Sequence, residues 1–313
     1  MMALLTDLRL PVIGAPMFLL SSPELVIASC RAGILGSFPA LNARTSEELD
    51  EWLTRIKAEV GERPFGVNLI VHASNPRVEA DLKVLGRHQV PLVITSLGAV
   101  SELVKAVHGW GGQVFHDVVQ RRHAEKAEQA GVDGIIAVCA GAGGHAGTQS
   151  PFALAAEIRQ VFNGTLVLAG AISSGVDIAC ARLLGADAVY MGTRLINTLE
   201  SAASVDYQQR IIESRASDVV YTDQVSGIPG NFLASSLAEA GVDPKGWGGK
   251  SVDLASELKP PEGGAKAWKH LWSAGQGVGQ IQEVRSVADL VDQLESEYRS
   301  ALNRAVTLTP TPG

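Results

Sequence analysis

The chain has 313 residues, of which 46% are hydrophobic and 19% charged, with 33 glycines and few aromatics. A single core of that size is met in an α/β barrel, and otherwise the length predicts two domains. A formal net charge of −7 with no offsetting basic stretch argues against nucleic acid or an anionic membrane as the main partner.

Short apolar runs then alternate with helical patterns. Residues 11–15 (PVIGA) predict a buried strand, and Pro23–Ala32 a helix. Strands are expected at 34–38, Phe65–Ile70, 92–95, 113–116, 134–139, 166–169 and Ala188–Met191. The intervening helices are expected over Ser46–Val60, 75–88, 99–108, 120–130, 152–162 and 175–184. In Ser46–Val60, the residues Leu49, Trp52, Leu53, Ile56 and Val60 fall at helical spacing. The strand runs are continuously apolar, which means burial on both faces and a parallel sheet. Eight such units predict an α/β fold, a (β/α)8 (TIM) barrel. The competing doubly wound sheet wants a glycine fingerprint after its first strand, and the chain has Ala15-Pro16-Met17-Phe18 there.

After residue 200 the alternation stops. Polar helical patterns at 205–215 and 232–240, and Pro/Gly-rich stretches at 242–249 and 260–264, predict a smaller, mainly helical inserted domain over 201–270. The barrel then comprises 1–200 and 271–313. Its eighth helix carries Val287, Leu290, Val291, Leu294, Tyr298 and Leu302 on one face. The tail from 307 to 313 reads as disordered. Cys30, Cys139 and Cys180 are too scattered for a disulfide framework. With no signal peptide and no long apolar run at hand, a cytoplasmic location is expected.

Three loops at strand ends draw attention, because the carboxyl ends of the strands are the active face of a barrel. The loop 140–147 after the sixth strand holds four glycines, Gly143 and Gly144 among them, and His145. Its backbone can approach a ligand closely, and His145 is a candidate acid, base or donor. Otherwise the loop is merely flexible and its histidine incidental. The loops with Ala169, Gly170 and Ala171 and with Gly192 and Thr193 follow strands seven and eight, the usual phosphate site of a barrel; otherwise they are ordinary tight turns. Asn68 in the third strand needs polar partners, from a ligand edge or from backbone. His116-Asp117 either faces the site or ends a strand in solvent. Ala15, Pro16 and Met17 lay backbone along a flat ring or simply pack. The segment 244–251 (PKGWGGKS) lacks the first glycine and the preceding strand of a phosphate loop, and Gly275–Gly279 does not fit G-x-G-x-x-G. No G-x-S-x-G elbow and no metal-ligand spacing is present. A barrel with few acid or base groups points to a cofactor that supplies the reactivity.

The segments PVIGAPM, FGVNL, AGGHAG, LAGAISSG, GADAVYMGTR and WSAGQGVG together resemble the nitronate monooxygenase family, formerly called 2-nitropropane dioxygenase. The chain is also similar to flavin-dependent enoyl reductases and NADH:quinone reductases on the same scaffold. The resemblance runs through most of 10–200, returns at 268–280 and is weak in the insert. It implies non-covalent FMN across the barrel mouth, with Ala15, Pro16 and Met17 along the ring and Asn68 on the flavin or ribityl chain. Ala169, Gly170, Ala171, Gly192 and Thr193 would hold the phosphate end. Gly143, Gly144 and Asp117 would border the cofactor, and the Gln276 loop would approach it. His145 matches the family's catalytic histidine. The implied reaction turns alkyl nitronates and dioxygen into carbonyl compounds and nitrite, with a homodimer as the candidate assembly. The alternative is NAD(P)H-dependent reduction of quinones or enoyl thioesters. A third, non-redox reading is a phosphosugar isomerase or aldolase-like barrel. Three departures stand out. Val138 and Gly141 replace polar residues of relatives, Ala169-Gly170-Ala171 replaces Ser-Gly-Gly, and Asp117 falls where some relatives carry Lys.

Overall fold

The computed structural model describes residues 3–246 and 271–307. Eight strands form one parallel sheet: β1 (Val12–Gly14), β2 (Gly36–Pro39), β3 (Phe65–Ile70), β4 (Leu92–Ser96), β5 (Gln113–Val118), β6 (Gly134–Val138), β8 (Thr165–Ala169) and β9 (Ala188–Met191). The two-residue strand β7 (Gly144–His145) lies in the loop after β6. The order β1-β9-β8-β6-β5-β4-β3-β2 brings β1 and β2 to the two edges. A parallel bridge from Ile13 to Leu35 joins those edges, with Gly14 N donating to Leu35 O at 2.8 Å and Leu35 N to Val12 O at 3.0 Å. The sheet is therefore a closed barrel.

Burial on both faces explains the continuous apolar runs. Ile13, Ile94, Phe115, Ile136 and Val167 fill the barrel, while their neighbours Val93, Val114, Ile135 and Leu166 pack against the surrounding helices. Leu4, Leu5 and Leu8, just before β1, pack on the inner cluster.

The outer ring comprises α2 (Pro23–Ala32), α3 (Ser46–Val60), α4 (Val78–Arg87), α5 (Ser101–His108), α6 (Arg121–Ala130), α7 (Pro151–Arg159) and α8 (Gly175–Leu183), after a short α1 (Ala3–Thr6). Local signals fix the ends of α2: Ser22 accepts from Leu25 N, Pro23 opens the first turn, and Gly33 closes it at φ +94°. The one-turn α9 (Thr193–Ile196) follows β9. The last helix, Val287–Thr307, packs between α8 and α2 and completes the ring, as its apolar face predicts.

The segment after α9 differs from its sequence pattern. It holds α10 (Val205–Glu213), an antiparallel hairpin of β10 (Val219–Thr222) and β11 (Gly230–Leu233), and α11 (Ala234–Glu239); the closing helix is α12. A helix is expected over 232–240, but its first two residues end a strand. Phe232 packs with Val225, Leu237 and Leu271, whereas the adjacent Leu233 packs with Ile196, Tyr207 and Ala274. Adjacent residues buried on opposite sides require extended backbone. The stretch 260–264, most of 244–251 and residues 308–313 lie outside the described residues.

Candidate active site

A cavity of about 240 Å³ opens at the carboxyl ends of the barrel strands. Ala15, Pro16, Met17, Asn68, Asp117, Gly143, Gly144, His145, Ala169, Gly170, Ala171, Gly192 and Thr193 all line it. Gln276 does not. Its flanking Gly275 and Gly277 reach the cavity instead, while Gln276 N donates to Gly141 O at 2.9 Å. His116 is also turned away. It alternates with Asp117 along β5, is buried, and bonds Thr95 Oγ1 through Nδ1 at 2.8 Å. Burial lowers its pKa to about 4 and keeps it neutral.

The floor is a chain of polar groups at the ends of β3, β4 and β5. Asn68 Nδ2 donates to Ile94 O (3.2 Å) and to Ser96 Oγ (2.8 Å). Ser96 Oγ donates in turn to Asp117 Oδ2 at 2.6 Å. Asp117 Oδ1 and the Tyr190 hydroxyl are buried and have no protein partner. Burial raises the Asp117 pKa to about 6, and burial together with the Asp117 charge raises the Tyr190 phenol. Neither Ser96, which ends β4, nor Tyr190, next to the last residue of β9, carries a sequence signal of its own.

The wall at the end of β1 is a fixed turn. Ala15 N donates to Met191 O (2.8 Å), Met17 N to Ser21 Oγ (2.9 Å), and Asn42 Nδ2 to Met17 O (3.0 Å) and Ser21 O (2.8 Å).

The phosphate-type loops divide unequally. After β8, Gly170 takes φ +128°, where a side chain would also meet Ala140 O at 2.8 Å. Four of the amides that follow it are already engaged. Ala171 N bonds Gly141 O (3.2 Å), Ser173 N and Ser174 N bond Asp177 Oδ2 (2.9 Å each), and Gly175 N bonds Glu297 Oε2 (2.8 Å). After β9, Gly192 and Thr193 face the cavity, and Thr193 Oγ1 accepts from Gly275 N at 2.8 Å. That hydroxyl keeps its own proton to donate. A Cβ on Gly275 would lie 2.6 Å from Gly141 O, so glycine lets the 275–277 backbone settle onto the loop after β6.

His145 sits on the opposite wall, with Nε2 3.2 Å from Ser226 Oγ. Burial lowers its pKa to about 4, so the imidazole is neutral at pH 7. Tyr207 of α10 closes the mouth; its ring stacks on Trp272 at 5.0 Å and its hydroxyl donates to Ser273 O at 2.5 Å. Leu20, Leu41, Leu97, Ile172, Ile196 and Leu271 make the remaining lining largely apolar. Tyr207 and Ser226 come from the segment after α9, where the sequence pattern offered no site, and Leu271 opens the segment that returns to the barrel.

A closed parallel barrel, with a neutral histidine and glycine-lined loops around one cavity at its strand ends, has the architecture of a (β/α)8-barrel enzyme. The nitronate monooxygenase family model matches residues 1–297, and the chain belongs to that family. It is an oxidoreductase, and membership implies a flavin. A nitronate monooxygenase of Paraburkholderia phytofirmans is 26% identical over 94% of this chain and 93% of its own length. An octahydro-indene-4-carboxyl-CoA dehydrogenase of Mycobacterium tuberculosis is 29% identical over 73% of this chain and 64% of its own. Among solved structures, a nitroalkane oxidase of Streptomyces ansochromogenes shares the fold at a TM-score of 0.81 and 24% identity, covering 97% of this chain and all of that one. FabK of Thermotoga maritima shares it at a TM-score of 0.81 and 24% identity, covering 98% and 97%.

Proposed function

We propose that the protein is an FMN-dependent monooxygenase that converts alkyl nitronates and dioxygen into carbonyl compounds and nitrite. The observation that supports this most is the meeting of His145 with the strand-end groups of β1, β3, β5, β8 and β9 around one cavity. The cavity suits a flavin on its own chemistry. Asp117 and Tyr190 line it, and each keeps one buried oxygen without a protein partner, which a polar ring edge would complete. Ala15, Pro16 and Met17 would lie along the ring, and Asn68 would offer its carboxamide oxygen. Gly143, Gly192 and the Thr193 hydroxyl would take the phosphate end, because the Ser173, Ser174 and Gly175 amides at the start of α8 are bonded within the protein.

When bound, FMN supplies the two-electron redox chemistry. The rest falls to the chain. A neutral His145 carries one N–H donor and one acceptor nitrogen. Its acceptor nitrogen takes the proton from the carbon next to a nitro group when the substrate arrives as the nitroalkane. The apolar mouth keeps water from the reacting carbon.

The second reading is an NAD(P)H-dependent flavin reductase acting on quinones or enoyl thioesters. It draws on the similarity to the CoA-ester dehydrogenase. Anaerobic mixing of FMN-loaded protein with an alkyl nitronate, and separately with NADH, separates the two. Bleaching of the flavin by the nitronate alone supports the monooxygenase; bleaching by NADH alone overturns it. His145→Ala is expected to slow bleaching by the neutral nitroalkane by roughly 10²–10⁴-fold.

A further inference from the structure

The strand that carries His145 has no partner in the barrel. β7 is two residues long and pairs with β11, through Gly230 opposite His145 and Asn231 opposite Gly144. Its surroundings are built from the same hairpin. Ala146 N donates to Pro229 O at 3.2 Å, Tyr221 Oη donates to Ala146 O at 3.0 Å, and Asn231 Nδ2 donates to Ala142 O at 2.7 Å. Gly230 lies so close that a Cβ there would meet Gly144 O at 2.6 Å. A loop with four glycines has little stiffness of its own, so its conformation is set by what grips it. Gly141 is held by Ala171 and Gln276, but at Ala142 and around His145 the grip comes from residues 221–231, which belong to none of the eight βα units.

The same hairpin connection carries Ser226, whose hydroxyl is 3.2 Å from His145 Nε2. Ser226 is itself held in a tight local arrangement, with Oγ accepting from Ile228 N (3.4 Å) and donating to Ile228 O (3.3 Å). A histidine used as donor or base needs a defined ring orientation and a defined proton position. With its own proton on Ile228 O, the Ser226 oxygen accepts from Nε2–H, which holds the ring and leaves Nδ1 as the acceptor.

We propose that Ser226 is a positioning residue for His145, and that the β10–β11 hairpin, through Ser226 and Asn231, is the part of the molecule that orients the imidazole over the cavity. The inference rests on the reading of His145 as the reacting histidine, and it deepens that reading by naming what holds it. It also gives the segment after α9 a role: it is a fixed wall of the site, tied to the barrel loop by backbone and side-chain bonds.

The test uses full-length protein loaded with FMN. Long-range ¹H–¹⁵N correlation spectra read the tautomer of His145, with assignment by comparison with His145→Gln. The wild type is expected to show one tautomer, and Ser226→Ala a mixture of both. Ser226→Thr, which restores a hydroxyl, is expected to restore the single tautomer. In turnover with a nitroalkane, Ser226→Ala is expected to lower kcat on the order of tenfold while leaving FMN affinity within about twofold. Asn231→Ala, which frees the Ala142 carbonyl, is expected to give the same tautomer mixture with the hydroxyl still present. Identical His145 spectra in the wild type and Ser226→Ala would overturn the proposal. So would a loss of kcat that Ser226→Thr fails to rescue. If the wild type does not oxidise nitronates, the proposed function falls, and the spectra still decide whether Ser226 positions His145.

Discussion

One carboxyl oxygen of Asp117 accepts the Ser96 hydroxyl at 2.6 Å, while its other oxygen is buried without a partner. Burial raises the pKa of this group from 3.8 to about 6. The folded protein therefore holds the proton more tightly than the unfolded chain does. Its contribution to stability is fully present below pH 3.8 and is lost as the pH rises through 6. Asp117→Asn, which keeps the shape and removes the charge, should thus be more stable than the wild type at pH 8, on the order of 1 kcal/mol. At pH 4 the two should melt together. Thermal unfolding at both pH values checks this, and a destabilised Asp117→Asn at pH 8 would contradict it.

His116 gives the opposite sign. It is buried against Thr95 with a pKa of about 4, against 6.5 in the unfolded chain. Its neutral form stabilises fully above pH 6.5, and that contribution is lost as the pH falls through 4. The melting temperature of the wild type should drop steeply over this window, and His116→Gln should flatten the drop. His145 adds a second slope of the same sign. Melting curves of the wild type and His116→Gln from pH 7 to pH 4 measure the difference, and parallel curves would rule the assignment out.

The barrel was legible because its signals are local. Phe65–Ile70 and Ala188–Met191 form strands over the same residues that the apolar runs mark. Ser22 and Thr45 cap α2 and α3 where the sequence places their starts. Most of the candidate site was legible for a related reason: in a barrel, strand ends converge, so Asn68, Asp117, Gly170 and Gly192 meet whatever their separation in the chain. What escaped depends on non-local contacts. The strand at Gly230–Leu233 exists because β10 and β7 flank it, and the helical spacing of 232–240 conceals that pairing. Tyr207 and Ser226 reach the cavity region only through that packing. The loop of Gln276 reaches the cavity through Gly275 and Gly277, since the glycines are what the close backbone approach requires.

That approach makes Gly275 a sensitive position. A methyl group there meets Gly141 O at 2.6 Å and Gly143 N at 3.0 Å, both backbone atoms of the loop that carries His145. Relief requires the two segments to separate, which also pulls Gly275 N from Thr193 Oγ1. Gly275→Ala is expected to cost about 1–3 kcal/mol of stability by overpacking and to weaken FMN binding at least tenfold. Fluorescence titration of the apoprotein reads the affinity, and unchanged FMN binding would show that these loops do not hold the cofactor.

Asp177 tests which loop holds the phosphate. Its Oδ2 accepts from Ser173 N and Ser174 N, and Ser174 Oγ accepts from Asp177 N, so the start of α8 is closed by its own capping box. Amides bonded in this way are not available to an anion in the cavity. Asp177→Ala should then cost about 1 kcal/mol of stability through the lost cap, with FMN affinity changed less than about threefold. Thr193→Val, which removes the hydroxyl facing the cavity, should weaken FMN by about tenfold while leaving the affinity for riboflavin, which lacks the phosphate, nearly unchanged. Parallel titrations of both flavins into the two variants distinguish the loops. A large loss of FMN affinity in Asp177→Ala together with none in Thr193→Val would move the phosphate from the β9 side of the cavity to the start of α8.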